Sequence, residues 1–263
     1  MSLLPELKRH SPSSLSSFIE YRASWFIQRI RGEYNKAGVY AARGTAVEAG
    51  MNHYIENDVK IEDCIKYALG VYTQESIGQP DNFDVRQSIA PCVKAGIQSF
   101  EELGYLIDPP VLQAEINCTL EGCRKGVYGK LDYLFEGKKI VDNKVVSKTP
   151  SSLKQGYILQ GAIYRYATGL PIDFHFVIPN KTGVKIKVIT LTDEEYEYGL
   201  RLATRAAQCV ETIFDNLDHM DGDLLEALFF TNPCSVFDYS EKAVHSKHFG
   251  IEIPKKKMGA DEE

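Results

Sequence analysis

Tyr128-Gly129-Lys130-Leu131-Asp132, followed by Ile140-Val141-Asp142-Asn143-Lys144, is the stretch that decides the reading of this chain. Asp132 and Asp142 lie ten residues apart, each at the end of a short apolar strand, and Lys144 follows the second acid by two positions. Glu136-Gly137-Lys138-Lys139 between them is a turn signal, so the two strands read as a hairpin. Such a hairpin can bring both carboxylates to one point. Two acids at one point repel each other unless a divalent cation sits between them. A lysine beside that cation can polarise or deprotonate a water, or neutralise charge developing on phosphorus. The combination points to metal-dependent phosphodiester hydrolysis.

Outward from the hairpin, the pattern alternates in type. Ser11-Pro12-Ser13-Ser14 caps a periodic apolar segment, which predicts one helix to about Arg31 with Leu15, Phe18, Ile19, Trp25 and Phe26 inward. Gly44-Thr45 predicts a second helix start before Ala46-Val47-Glu48. Residues 60 to 105 read as two or three helices, broken near Gly78-Gln79-Pro80 and Ala90-Pro91. A strand from Val111 precedes the hairpin. Leu153 to Thr168 is the best helix in the chain, stopped by Gly169 with Pro171 beyond. Two strands follow, at 174–179 and 184–189. Thr192-Asp193-Glu194-Glu195 is a capping box that opens a long helix to about Phe214.

These elements predict an α/β fold: helices first, then β-β-β-α-β-β, then a helix. The expected organisation is a single domain over 1–263. Its parts are a helical N-terminal part to about 105, a catalytic core over about 111–214 and a C-terminal extension over 215–263.

Composition narrows the class without choosing the chemistry. With 263 residues, 44% apolar residues, 15 Tyr and 12 Phe, the chain can fill a sizeable core. No apolar run approaches the roughly 20 residues that a membrane span needs, and Met1 to His10 lacks an apolar leader. The six cysteines (64, 92, 118, 123, 209, 234) show no zinc-site spacing. Reduced thiols in a cytoplasmic protein are expected, of a bacterium or a phage-infected cell. The net charge of −6 does not exclude a nucleic-acid partner, because an acidic metal site is cancelled by its cation. Basic residues cluster at Arg29 and Arg31, Lys138 and Lys139, Lys144 to Lys154, and Lys255 to Lys257. The histidines form no ligand spacing and read as structural or surface residues.

Gly129-Lys130-Leu131-Asp132, Asp142-Asn143-Lys144 and Gln160-Gly161-Ala162-Ile163-Tyr164 together resemble the PD-(D/E)XK nucleases, specifically the RecB-like exonuclease branch. Upstream, Ser11-Pro12-Ser13-Ser14-Leu15 is similar to the opening Ser-x-Ser-x-Leu helix of that branch, and Gly44-Thr45-Ala46-Val47-Glu48 to its Gly-x-x-x-His element. The likeness covers most of 11–190. It implies a restriction-endonuclease-like core with a central mixed sheet flanked by helices. By the same resemblance, Asp132, Asp142 and Lys144 are catalytic. Glu48, Asp132, Asp142 and the carbonyl of Asn143 hold Mg²⁺, with Mn²⁺ able to substitute. Gln160 and Tyr164, one helical turn apart on one face, position the substrate strand. Arg43, Lys148, Lys154 and Arg165 lie near enough in sequence to serve as phosphate contacts.

Two departures from the family pattern carry consequences. Position 48 is Glu where many members place His, and Glu remains an oxygen ligand suited to Mg²⁺. Some relatives, CRISPR-associated ones among them, hold a four-cysteine iron–sulfur cluster. Here Tyr21 and Phe237 occupy two of the expected positions and Cys234 is the cysteine kept, so no iron–sulfur cluster is expected. The implied function is a Mg²⁺-dependent DNA exonuclease of recombination, repair or phage DNA metabolism. A structure-specific endonuclease on the same fold, or a non-catalytic DNA-binding module of a recombination complex, stays open. DNA is the implied partner, with a recombinase, an annealing protein or a helicase as protein partners and no membrane. The chain has no Gly-x-x-x-x-Gly-Lys-Ser/Thr loop, so unwinding would require such a partner.

Overall fold

Strand β4 (Ile172–Asn180) shows how the sheet is built. Ile172, Phe174, Phe176 and Ile178 pack into one apolar core, while Val177 packs into a second. A strand buried on both faces needs cover on both sides, and helices provide it. The computed structural model describes residues 6–33, 38–57, 59–80 and 82–217. It contains β1 (Val111–Cys118), β2 (Val127–Phe135), β3 (Lys139–Val145), β4 and β5 (Gly183–Thr190), arranged in sequence order in one five-stranded sheet. β3 and β4 are parallel and the other neighbours antiparallel. The parallel pair requires a crossover, and α7 (Gln155–Thr168) makes it.

One face carries α1 (Pro12–Glu20), α2 (Arg22–Arg29), α7 and α8 (Asp193–Asn216), whose Leu15, Trp25, Leu159, Ile163 and Ala203 pack with Leu131, Ile140 and Phe174. The other carries α3 (Val39–Asn57), α4 (Ile61–Glu75), α5 (Phe83–Gln87) and α6 (Ile89–Glu102). Their Val47, Met51, Ala68 and Ile97 pack with Tyr133, Val141 and Val177. The architecture is thus the expected α/β core with a mixed sheet flanked by helices. No helix among the described residues is long and apolar enough to cross a membrane.

Local signals hold where they are strongest. Ser11 caps α1 by accepting from the Ser14 N–H. Gly169 takes the left-handed conformation (φ 73°) that ends α7, and Thr192 and Glu195 form the capping box of α8. Three boundaries differ from expectation. The first helix is two helices, because Tyr21 leaves helical geometry (φ −137°, ψ 59°) and turns the chain between α1 and α2. The second helix begins at Val39, so Gly44 and Thr45 lie inside it. The break expected near Ala90-Pro91 falls at Ser88, between α5 and α6, which leaves Pro91 in the first turn of α6, where its missing N–H has no helical acceptor to lose. Cys234, Phe237 and the lysines at 255–257 lie outside the described residues.

Close packing of α7 on α8 depends on Gly199. A Cβ there would stand 2.6 Å from the Ile158 carbonyl oxygen and 2.8 Å from Ala162 Cβ. Backbone cannot yield as a flexible side chain can, so Gly199→Ala is expected to lower stability by about 1–3 kcal/mol. Thermal denaturation followed by circular dichroism measures the loss.

Candidate active site

The candidate site lies where two strand ladders fail together. β2 and β3 pair through Phe135–Lys139, Leu134–Ile140 and Tyr133–Val141, and stop there. One further step of that register would set Asp132 opposite Asp142. Instead, the Asp132 carboxylate takes the place of a ladder acceptor: its Oδ2 receives the Asn143 N–H at 2.8 Å. β1 and β2 pair on both sides of this point, at Leu112–Tyr133 and Ala114–Leu131, but skip Gln113 and Asp132. The strands also exchange faces there. Leu112 and Tyr133 belong to the core under α3 and α6, whereas Ala114 and Leu131 belong to the core under α7. Asp132 and Asp142 are therefore mid-strand residues, at an irregularity, rather than at strand ends.

Asp142 is fully buried. Its Oδ2 lies 2.5 Å from the Lys144 ammonium, and its Oδ1 has no hydrogen-bond partner. Lys144 also stands over the Tyr157 ring, 5.6 Å from its centroid. Glu48 reaches the cluster from α3, and its Oε1 accepts from Gln113 Nε2 at 2.7 Å.

The charges of these groups act on one another. Burial pushes Asp132 well above the ordinary carboxylate range, and the Asp142 and Glu48 charges push it further. Burial likewise raises Glu48, with Lys144 opposing and Asp142 adding. It raises Asp142 too, against the pull of Lys144. Burial alone would lower Lys144, but Asp142 and Asp132 outweigh it, so the ammonium is held above the usual lysine range.

Asn143 points to the opposite core. Its Oδ1 receives His175 Nδ1 at 2.9 Å, and His175 Nε2 meets the Ser99 hydroxyl of α6 at 2.7 Å. Burial lowers the His175 pKa to about 4, so the ring is neutral. This is the structural role expected of a histidine here, although nothing in its spacing tied it to Asn143. Gln160 and Tyr164 do share a helix face. Gln160 Nε2 donates to the Tyr164 hydroxyl, which donates to the Lys130 carbonyl, both at 2.9 Å. Tyr164 is buried and clamps α7 to β2 two residues before Asp132.

The basic residues divide. Arg43 is buried, donates to Ser147 Oγ at 3.4 Å just beyond β3, and keeps an unpartnered Nε. It borders a cavity of about 690 Å³ that Lys181 also lines. Lys148 and Lys154 are exposed on the connection between β3 and α7. The structure does not bring Arg165 to the carboxylates. It pairs with Asp193 at 2.7 Å and stacks on Tyr196, tying α7 to α8. Gln113 escaped the sequence reading because Val111-Leu112-Gln113-Ala114-Glu115 shows only strand alternation.

The donor set suits a hard divalent cation: every donor is oxygen, and Asp142 Oδ1 is buried without a partner. Among the described residues, no three His, Cys, Asp or Glu side chains are already drawn to metal-binding spacing.

No protein-family model matches the chain, and no curated protein matches it. The fold does have a solved counterpart. The crystal structure of a candidate exonuclease from Eubacterium rectale aligns with a TM-score of 0.59 at 20% identity, over 93% of this chain and 94% of that one. An alkaline exonuclease from Laribacter hongkongensis aligns at a TM-score of 0.38 and 14% identity, over 71% and 98%, too distant to add weight. At such identities the likeness establishes the fold.

Asp132 is destabilising when ionised, since its pKa in the folded chain lies above that of the unfolded chain. The sign follows: the folded state binds the extra proton, so stability falls as pH rises past the unfolded value and toward the raised one. In EDTA, Asp132→Asn is expected to raise the melting temperature at pH 8, with the gain vanishing near pH 4. Melting curves across pH measure both.

Proposed function

We propose that this chain is a divalent-metal-dependent deoxyribonuclease of the RecB-like PD-(D/E)XK type, acting as an exonuclease on DNA ends. The observation that carries the reading is the pairing of the buried, half-unpartnered Asp142 with Lys144 beside Asp132. A purely structural ion pair would have no use for two further carboxylates, with the Asp142 and Glu48 charges adding to the rise of Asp132. A non-catalytic module would not need the cluster either. The exonuclease form of the reading draws on the description of the Eubacterium rectale protein, whose fold this chain shares.

In this reading Glu48, Asp132, Asp142 and the Asn143 carbonyl would hold Mg²⁺ or Mn²⁺. The bound ion would supply Lewis-acid stabilisation of phosphate charge and a more acidic attacking water. Lys144 acts as a donor. An ammonium held above its usual pKa keeps its proton at neutral pH, so it orients the water and counters charge growing on the phosphate oxygens. Asp142 fixes that ammonium. Tyr164 and Gln160 hold β2 against α7, which steadies the strand segment that carries Asp132. Arg43 offers a buried guanidinium with an unpartnered Nε, and Lys148 an exposed ammonium, for a backbone phosphate.

Linear DNA labelled at either end is expected to be degraded with Mg²⁺ and left intact with EDTA. Asp142→Ala and Lys144→Ala are expected to lower the rate by about 10²–10⁴-fold. Closed circular DNA should survive. Its cleavage would convert the assignment to an endonuclease. A folded wild-type protein that leaves every substrate intact with Mg²⁺ or Mn²⁺ would remove it.

A further inference from the structure

We infer that Gln113 is a positioning residue for Glu48, held in a left-handed backbone conformation so that its amide reaches that carboxylate. The inference rests on the metal-site reading above. Among the described residues, Gln113 is the non-glycine residue with positive φ, at 52°. It lies inside β1, where extended backbone is the rule, and left-handed backbone is disfavoured for a residue with a Cβ. Such a conformation persists only when its surroundings impose it.

Two observations show what it does. Gln113 and Asp132 are the facing residues that the β1–β2 ladder skips, so one irregularity frees both from regular pairing. The freed Gln113 donates to Glu48 at 2.7 Å, and the freed Asp132 accepts from the Asn143 N–H at 2.8 Å. Each carboxylate thus has one oxygen fixed by a neutral donor, and Gln113 is the hydrogen-bond partner Glu48 has among the described residues.

The chemistry of the side chain fits the task. An amide fixes a carboxylate without cancelling its charge, whereas Lys or Arg would neutralise the charge a cation needs. Glu at 113 would repel Glu48. Asn tolerates the backbone but is one methylene shorter, and Gly accepts the backbone with no donor at all. Glu48 sits on α3, on the far side of the sheet from Lys144. A tether from β1 therefore links the helix to the strand pair that carries Asp132.

The test uses the full chain and separates ligand positioning from folding. Wild type, Gln113→Gly, Gln113→Asn and Glu48→Gln are titrated with Mn²⁺ by calorimetry, and each is melted in EDTA. The expected result is a melting temperature for Gln113→Gly within a few degrees of wild type. Its Mn²⁺ dissociation constant is expected to rise by about tenfold or more, with Gln113→Asn weakened similarly. Wild-type Mn²⁺ affinity in both Gln113 variants, with Glu48→Gln weakened, would overturn the role of Gln113 and leave the site reading standing. Failure of wild type to bind Mn²⁺, or an unaffected Glu48→Gln, would remove the site reading and this inference with it. A large drop in melting temperature for Gln113→Gly would assign Gln113 to folding instead.

Discussion

Concentrated charge in the gap between β2 and β3 is the constraint on which the rest of the structure depends. Three carboxylates and one ammonium lie near enough to feel one another's charge where the ladder ends. Desolvating each ion costs several kcal/mol, and mutual attraction recovers this only with good geometry. Apolar packing on both faces supplies the offset. Leu131, Phe174 and Phe176 are all fully buried around the gap, and each contributes about 1.5–3 kcal/mol. Two layers of helices, rather than one, are what allow the middle of the sheet to tolerate Asp142 at complete burial.

A regular sheet could not assemble this cluster. Successive side chains point to opposite faces, so a helix on one face and a lysine on the other stay separated by the sheet itself. The paired irregularity at Gln113 and Asp132 opens the sheet at one point. Glu48 approaches from the α3 side and Lys144 from the α7 side. The lost ladder bonds are replaced by side chains: Asp132 accepts from Asn143, and His175 holds the Asn143 amide from the other core. Tyr164 then closes the arrangement by bonding to Lys130 on β2. The gap left by the missing ladder is thus spanned by side-chain hydrogen bonds.

What the sequence made legible follows from the range of each signal. The Ser11 cap, the capping box of α8, the Gly169 stop and the turn at Glu136–Lys139 are determined within a few residues, and they fall where expected. Asp132, Asp142 and Lys144 could be singled out because a short hairpin leaves few ways to arrange them. Arg165 could not be placed. It follows Tyr164 on α7, but one step further around the helix it meets α8, where Asp193 and Tyr196 hold it. Gln113 and His175 were illegible for a different reason. One depends on a backbone reversal that no composition encodes, and the other on a contact across 32 residues with Asn143. Tyr21 breaks a helix although its sequence signal is continuous, since α1 must turn for Trp25 to reach the core.

Charge stoichiometry then explains why the departure at position 48 is coherent with the proposed chemistry. Ionised, Glu48, Asp132 and Asp142 carry three negative charges against one on Lys144, which leaves two to be balanced. A neutral imidazole at 48 would leave one. A monovalent cation, with half the charge, gains half the Coulomb attraction at the same distance. Under the proposed function, the cluster would thus match a divalent ion in charge as well as in its oxygen donors. Gln113 belongs to the same logic. Its amide restrains Glu48 and leaves that count of two intact, which no cationic side chain in its place could do.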